Sequence, residues 1–198
     1  MNSPRLAIIA AASGLLATAH ADSILLNETF SGNLLNGSTW TSSSPFSDSS
    51  VSVGSGALTL RNGGGIRSNY NYAGPIEVIF SFAFVGNTHD SFRMVTRVDD
   101  FYPAGYSVMH GTAVSFRIQE DTGNLLGNVA LEDSTGVLTT GTFALSPNTY
   151  YTGRLVDTGS AFGFYWGADL LPFLVATSNE HYGNKVASFN REGAGNNS

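Results

Sequence analysis

The stretch Glu77-Val-Ile-Phe-Ser-Phe-Ala-Phe-Val85 is a long β-favouring run set between Gly74-Pro75 and Gly86-Asn87. Aromatic and β-branched side chains suit a pleated, half-buried surface, while Gly, Pro and Asn are turn formers. Next comes Phe92-Arg-Met-Val-Thr-Arg-Val98, which alternates. Alternation predicts Phe92, Met94, Thr96 and Val98 on one face of a strand, with Arg93, Val95 and Arg97 on the other. The same period of two continues outward. Tyr106–His110, Val114–Gln119, Val129–Leu131, Thr142–Leu145, Tyr150–Val156, Ala161–Trp166 and Val186–Phe189 read as strands, as do Leu58–Leu60 and Ile66–Ser68 before them. Asp121-Thr-Gly123 and Gly127-Asn128 supply turns, and Asp157-Thr-Gly159 is a tight hairpin signal. No segment after Ala21 offers an amphipathic helix of three turns. A dozen or so short strands in one domain predict an all-β fold, a two-sheet antiparallel β-sandwich.

Composition agrees. Charged residues make up 12% of the chain and aromatics another 12%, with 23 glycines, a mixture that favours strands and turns over helices. There is no cysteine, so stability must come from packing and sheet hydrogen bonds rather than disulfides.

The N-terminus has a different character. Arg5 supplies a positive charge, Leu6 to Thr18 is apolar or small, and Ala19-His-Ala21 follows. This is the pattern of a signal peptide over residues 1–21, cleaved before Asp22, and the apolar run is short for a bilayer-spanning helix. Residues 22–198 are then expected as a single exported domain, secreted, periplasmic or at the cell surface, with no membrane insertion after processing. Removing Arg5 leaves eight basic against fifteen acidic residues, a net charge near −7. That sign provides no electrostatic footprint for nucleic acid or an anionic membrane.

Residues 31–50 are rich in Ser, Thr, Asn and Gly around Trp40 and Phe46, which predicts a surface loop and a short edge strand. Asn62-Gly-Gly-Gly65 lacks the G-K-[ST] and helix start of a phosphate loop and reads as a hairpin turn or bulge. Gly193–Ser198 reads as a frayed tail.

Leu26-Asn-Glu-Thr-Phe-Ser-Gly32, Trp40 and Gly56-Ala-Leu-Thr-Leu60 resemble the opening of concanavalin A-like (laminin-G-like) jelly rolls of bacterial exported proteins. Ile76–Phe82, the Gly105-Tyr106 step, Thr149-Tyr-Tyr-Thr-Gly-Arg-Leu155 and Asn190-Arg-Glu192 are similar to later parts of that fold. The resemblance spans Leu25 to Glu192. It implies a jelly roll with about six strands per sheet, one sheet concave, and a carbohydrate-binding, adhesive or glycan-cleaving role. It also implies an acidic final strand beside the first, which the sequence does not supply, so the sandwich is expected to close differently or the chain to be a fragment. A structural calcium ion, where such domains join their first and last strands, would fall to Glu28, whose acidic partner is missing.

The laminarinase-type enzymes of this fold carry Glu-x-Asp-x-x-Glu on one strand, which places paired carboxylates on one face for retaining hydrolysis. No such triplet is present. Asp99-Asp100, Glu120-Asp121 and Glu132-Asp133 are adjacent pairs at strand ends, and strand neighbours point to opposite faces, so they are expected to cap turns in solvent. No H-E-x-x-H pattern occurs. His89 or His110 with Tyr102 or Tyr106 leaves open a lyase that uses His and Tyr for proton transfer.

The arginines carry the strongest site signal. Arg93, Arg97, Arg117 and Arg154 all sit within predicted strands. If those strands are neighbours, the guanidiniums line a groove that grips carboxylate or sulfate groups. The alternative is a lattice of cross-strand pairs with Glu77, Glu120 and Glu132. Tyr102, Tyr106 and Trp166 would add stacking at the groove rim, though Trp166 is better suited to core or rim packing. The expectation is a noncatalytic module for a glycan or extracellular polysaccharide, with a glycan-degrading enzyme and a structural envelope or matrix protein as alternatives.

Overall fold

The computed structural model describes residues 28–44, 49–61, 63–84, 91–99, 110–121, 124–146 and 148–190. The expected signal peptide, the tail 193–198 and the strand expected at Tyr106–His110 lie outside these residues, His110 excepted, as do the side chains of 118–121 and 124–126. Thirteen strands are found among them. They are β1 (Trp40–Ser43), β2 (Ser50–Gly54), β3 (Ala57–Arg61), β4 (Gly65–Ser68), β5 (Ile76–Phe82), β6 (Ser91–Val98) and β7 (Thr112–Asp121). There follow β8 (Asn124–Asp133), β9 (Gly136–Phe143), β10 (Tyr151–Asp157), β11 (Ala161–Trp166), β12 (Leu174–Thr177) and β13 (Lys185–Asn190).

A seven-stranded sheet runs β1-β4-β13-β6-β7-β8-β9, a four-stranded sheet runs β12-β11-β10-β5, and β2-β3 form a separate hairpin. Every pairing is antiparallel. The all-β sandwich expected from period-two patterning is present. Its division into seven and four strands among the described residues differs from the near-equal sheets that the resemblance implied.

Registry builds the core. Phe92, Phe116 and Val129 stand in one cross-strand row of the larger sheet, and Met94, Val114 and Leu131 in the next. They pack against Phe82, Leu155, Phe162 and Phe164 of the smaller sheet. Burying such a side chain contributes roughly 1.5–3 kcal/mol, so these rows are what hold the two layers together.

Turn chemistry follows backbone need. Ser55 and Gly56 both have positive φ, 54° and 75°, between the paired Gly54 and Ala57. Two left-handed central residues make the hairpin turn whose twist matches the strands. Gly64 lies where an added Cβ would collide with the backbone carbonyl of Ser50, so the glycine run before β4 serves a close backbone approach.

β12, which is short and follows the exposed Leu170 and Leu171, went unread in the sequence, and β9 begins at Gly136 rather than Thr142. Gly127-Asn128, expected as a turn, instead lies within β8 and pairs with both neighbouring strands. No helix among the described residues is long and apolar enough to cross a membrane.

Candidate functional site

The face of the larger sheet turned away from the core begins with residues too small to fill it. Ser115 lies between Arg93 and Ala130 in one cross-strand row, and Ala113 between Val95 and Glu132 in the next. Ala187 of β13 extends the second row on the other side of Val95. Across this floor of small side chains lie two long ones. The Arg93 Nη2 is 2.9 Å from Glu132 Oε2, and the two side chains are 13% and 12% exposed. The Ser115 hydroxyl donates to Glu132 Oε1 at 2.7 Å. The Arg93 guanidinium also stands 5.9 Å from the Phe189 ring centroid.

Arg117 occupies the adjoining row, opposite Ser91 on β6 and Asn128 on β8. It is exposed and has no ion-pair partner among the described residues. Towards β9 the face becomes open, with Thr140 and Thr142 exposed. At its other side Arg67 Nη1 donates to the Asp99 carbonyl at 2.6 Å, and Lys185 Nζ lies 3.4 Å from Asp99 Oδ1. The arrangement is a floor of small side chains, with Val95, Ala113 and Ala187 buried, bearing Arg93 paired with Glu132, Arg67 bonded to the Asp99 carbonyl, and Arg117 with no ion-pair partner among the described residues.

Arg97 is elsewhere. Alternation placed it beside Arg93, but the β6–β13 register shifts between Lys185 and Ala187, and Arg97 itself has φ of 57°. A bulge residue in the left-handed region breaks the period of two and re-aims its side chain. Arg97 therefore enters the space between the sheets, 1% exposed. There its Nη2 meets Asp157 Oδ1 at 2.6 Å and its Nε meets Oδ1 and Oδ2 at 3.0 and 2.9 Å. Its Nη1 donates to the carbonyls of Ser178 at 2.7 Å and Glu180 at 3.2 Å. Thr96 Oγ1 donates to Asp157 Oδ2 at 2.6 Å, and the Arg97 amide donates to the Tyr72 hydroxyl at 2.7 Å. Burial pushes the Tyr72 phenol up to about 12, against the opposing pull of that amide. Arg97 is thus a structural ion-pair residue facing the interior, not the groove.

Arg154 lies on the other sheet. Its guanidinium stands 4.3 Å from the Tyr165 ring centroid, its Nη1 is 3.4 Å from Glu77 Oε1, and its Nη2 donates to the Asp169 carbonyl. The four strand arginines do not form one row. Cross-strand pairing accounts for Arg93 with Glu132 and Arg154 with Glu77, while Arg93 and Arg117 alone share a face.

Trp166, offered by the sequence for ligand stacking at a rim or, with more weight, for packing, is part of the aromatic packing. Its ring stacks on Phe143 at 4.1 Å and meets Phe164 edge-on at 4.7 Å, and its Nε1 is buried without a hydrogen-bond partner. Glu28 accepts from the Phe30 amide at 2.7 Å and from Trp40 Nε1 at 3.3 Å. Both Glu28 carboxylate oxygens are thus engaged by protein donors among the described residues. No group of three His, Cys, Asp or Glu that could hold a metal ion occurs among the described residues. Tyr102, Tyr106 and His89 lie outside the described residues.

Of the acids expected in solvent at strand ends, Asp99 is exposed, while Glu132 and Asp133 are largely buried. Asp133 is 7% exposed and accepts from Thr135 and Ser178. Burial alone would raise its carboxyl, but these hydrogen bonds prevail and hold it below the ordinary value. Glu180 takes the amide and hydroxyl of Ser134, whose hydroxyl lies 3.4 Å from that of Tyr182. The exposed Tyr182 ring stacks on His110 at 4.3 Å and 10°. Tyr182 escaped the sequence reading because it sits in an irregular segment 72 residues from its ring partner.

No protein-family model matches this sequence, and no curated protein matches it. Solved structures do. The chain is similar to the β-glucanase of Bacillus licheniformis, with TM-score 0.56 and 17% identity over 85% of each chain. It is similar to the LamA protein of Z. galactanivorans solved with laminaritriose and laminaritetraose, with TM-score 0.59, 9% identity, and 90% and 92% of the two chains covered. It also matches the carbohydrate-binding module CBM66 from Bacillus subtilis, with TM-score 0.52, 14% identity, and 78% and 93% covered. Identities this low speak to backbone architecture alone, and that architecture is common to all three. The chain has the concanavalin A-like jelly-roll fold of the β-glucanases.

Proposed function

We propose that this protein is an exported, noncatalytic glycan-binding module whose contact surface is the outer face of the seven-stranded sheet. The observation that carries this reading is Arg117, an exposed guanidinium without an ion-pair partner among the described residues, one row from Arg93 on a floor of small side chains. Five fixed donors on a planar head suit carboxylate or sulfate groups. The net charge of the chain is −6, so binding of an anionic glycan must come from this local geometry rather than from the overall field. Glu132 has both oxygens engaged by Ser115 and Arg93, which suits it to holding Arg93 in place rather than to proton transfer. Solved structures of the same fold include a carbohydrate-binding module and a protein complexed with laminaritriose, which supports a sugar ligand.

The test is a glycan array on residues 22–198, run with and without calcium. Anionic glycans should bind above neutral ones, and Arg117→Ala should weaken them by about 1.5–3 kcal/mol, the range for a hydrogen bond to a charged group. Unchanged affinity in Arg117→Ala would remove this face from consideration.

One contact favours a second reading, a glycan lyase. His110 and the exposed Tyr182 are stacked, with Ser134 and Glu180 beside them. In that chemistry one group removes the proton beside a uronate carboxylate while another protonates the departing glycosidic oxygen. Ultraviolet absorbance of the unsaturated product, abolished in Tyr182→Phe, would favour the lyase over the module.

A further inference from the structure

We propose that β5 is a self-association edge, through which two copies of this chain pair antiparallel about Ile79 and join their four-stranded sheets into one continuous sheet. β5 is bonded to β10 along its whole length in an unbroken register, Ile76 opposite Asp157 through Phe82 opposite Tyr151. Among the described residues no strand lies on its other side. A free edge presents a row of unpaired amides and carbonyls, and proteins normally guard such a row with lysine, proline, a bulge or brevity. The seven residues Ile-Glu-Val-Ile-Phe-Ser-Phe hold no lysine, proline or bulge, and the one charge on the strand, Glu77, is tied to Arg154 of the same protomer.

The other sheet edges differ. β1 and β12 have four residues each. β9, the edge of the larger sheet, carries a register irregularity against β8 between Leu131 and Glu132, and β12 lies beside it. Among the described residues of the two layers, β5 is the edge strand that is both long and regular.

The choice of a second copy as the occupant comes from the strand's own pattern. Ile79 is its midpoint and is 68% exposed, a large apolar side chain with nothing over it. Antiparallel pairing centred on Ile79 matches all of β5 with itself. Ile79 then faces the partner subunit's Ile79, and Glu77 faces the partner subunit's Ser81, so no like charges meet across the joint. On the core side, half-buried Val78 faces the partner subunit's Phe80, which covers both. Glu77 keeps Arg154 as its ion-pair partner within the same protomer. A two-fold axis through Glu77 or Val78 would pair fewer residues, and one through Glu77 would oppose two carboxylates.

The chain has no cysteine, so single introduced thiols report the register. Sedimentation equilibrium of residues 22–198 should show a concentration-dependent dimer, and Ile79→Lys should shift it to monomer with an unchanged circular dichroism spectrum. A short bis-maleimide should trap Ile79→Cys as a dimer. Glu77→Cys should be trapped efficiently only when mixed with Ser81→Cys. Leu170→Cys, 90% exposed on a loop, is the accessibility control. A monomer at every concentration overturns the proposal, and so does a dimer that Leu170→Cys traps as well as Ile79→Cys does.

Discussion

The interior of the sandwich changes character along its strands. Around Tyr151 on β10 and Phe92 on β6 it is aromatic, with Phe82, Phe116, Phe143, Phe164 and Trp166 in mutual contact. Around Asp157 and Arg97, on the same two strands, it is ionic, with Thr96, Thr112 and Tyr72 completing the hydrogen bonds. Both regions are nearly dry. The aromatic region tolerates that because its groups make few demands beyond close packing. The ionic region tolerates it only while every partner is present, since a buried charge left alone is expensive. One region is robust in chemistry and strict in shape, the other the reverse.

The sharpest way to break this contrast is Arg97→Ala. It leaves Asp157 buried without its cation, and stability should fall by about 3–5 kcal/mol, the range for breaking a buried pair from one side. Chemical denaturation measures it. Replacing Arg97 and Asp157 together by apolar residues of similar volume should cost less than either single change, and a double mutant as unstable as Arg97→Ala would count against the pair as the cause. Glycan affinity of any folded Arg97 variant should be unaltered, because the side chain faces inward.

The aromatic region should fail by shape. A Cβ on Gly153 would meet Phe80 Cζ at 2.7 Å and Phe164 Cε2 at 2.8 Å. Gly153→Ala should therefore destabilise by about 1–3 kcal/mol through overpacking, measured as a lowered denaturation midpoint with an unchanged slope.

Proton linkage should act through the ionic region and the residues that border it, Tyr72 beside Arg97 and Asp133 beside Ser178. Asp133 is held below its ordinary value, so its stabilisation is present above the unfolded value of about 3.9 and is lost as pH falls through the folded one. Tyr72 is shifted the opposite way, to about 12, so its stabilisation is complete below about 10 and is lost as pH rises towards 12. Melting temperature against pH should decline at both limits, and Tyr72→Phe should flatten the alkaline limb. An alkaline limb unchanged in Tyr72→Phe would place the titration elsewhere.

The outer face should respond unevenly. Arg93 and Glu132 are largely buried, and replacing Glu132 with Gln removes a charge-assisted hydrogen bond and should cost about 1–3 kcal/mol by chemical denaturation. Arg117→Ala should change stability by less than about 0.5 kcal/mol, as surface substitutions usually do, while still weakening an anionic glycan.

The outer-face pair was legible in part. Arg93 and Glu132 obey alternation, so the face of each followed from its neighbours, and the possibility that they pair could be stated. That Arg117 has no ion-pair partner among the described residues could not be stated, because it depends on what stands opposite in β6 and β8. Asp157 was read as a hairpin residue, and its carboxyl does accept from the Gly159 amide at 2.8 Å. Its second role, as the anion for Arg97, has no local signature, since the two are 60 residues apart.

What the sequence determined by itself is what depends on near neighbours. Side-chain period, the absence of helix patterning, the turn residues and the lack of cysteine were enough for an antiparallel β-sandwich, because a strand's two faces are set by successive residues. Tertiary structure alone decided three things. A bulge at Arg97 turned one arginine of a regular series inward, and a bulge arises from the register between two strands rather than from either one. Asp133, at the end of β8, became buried where the segment around Ser178 closed over it. β5 became an edge because of which strands lie beside it, and hydrogen bonding between strands distant in sequence leaves no periodicity to read.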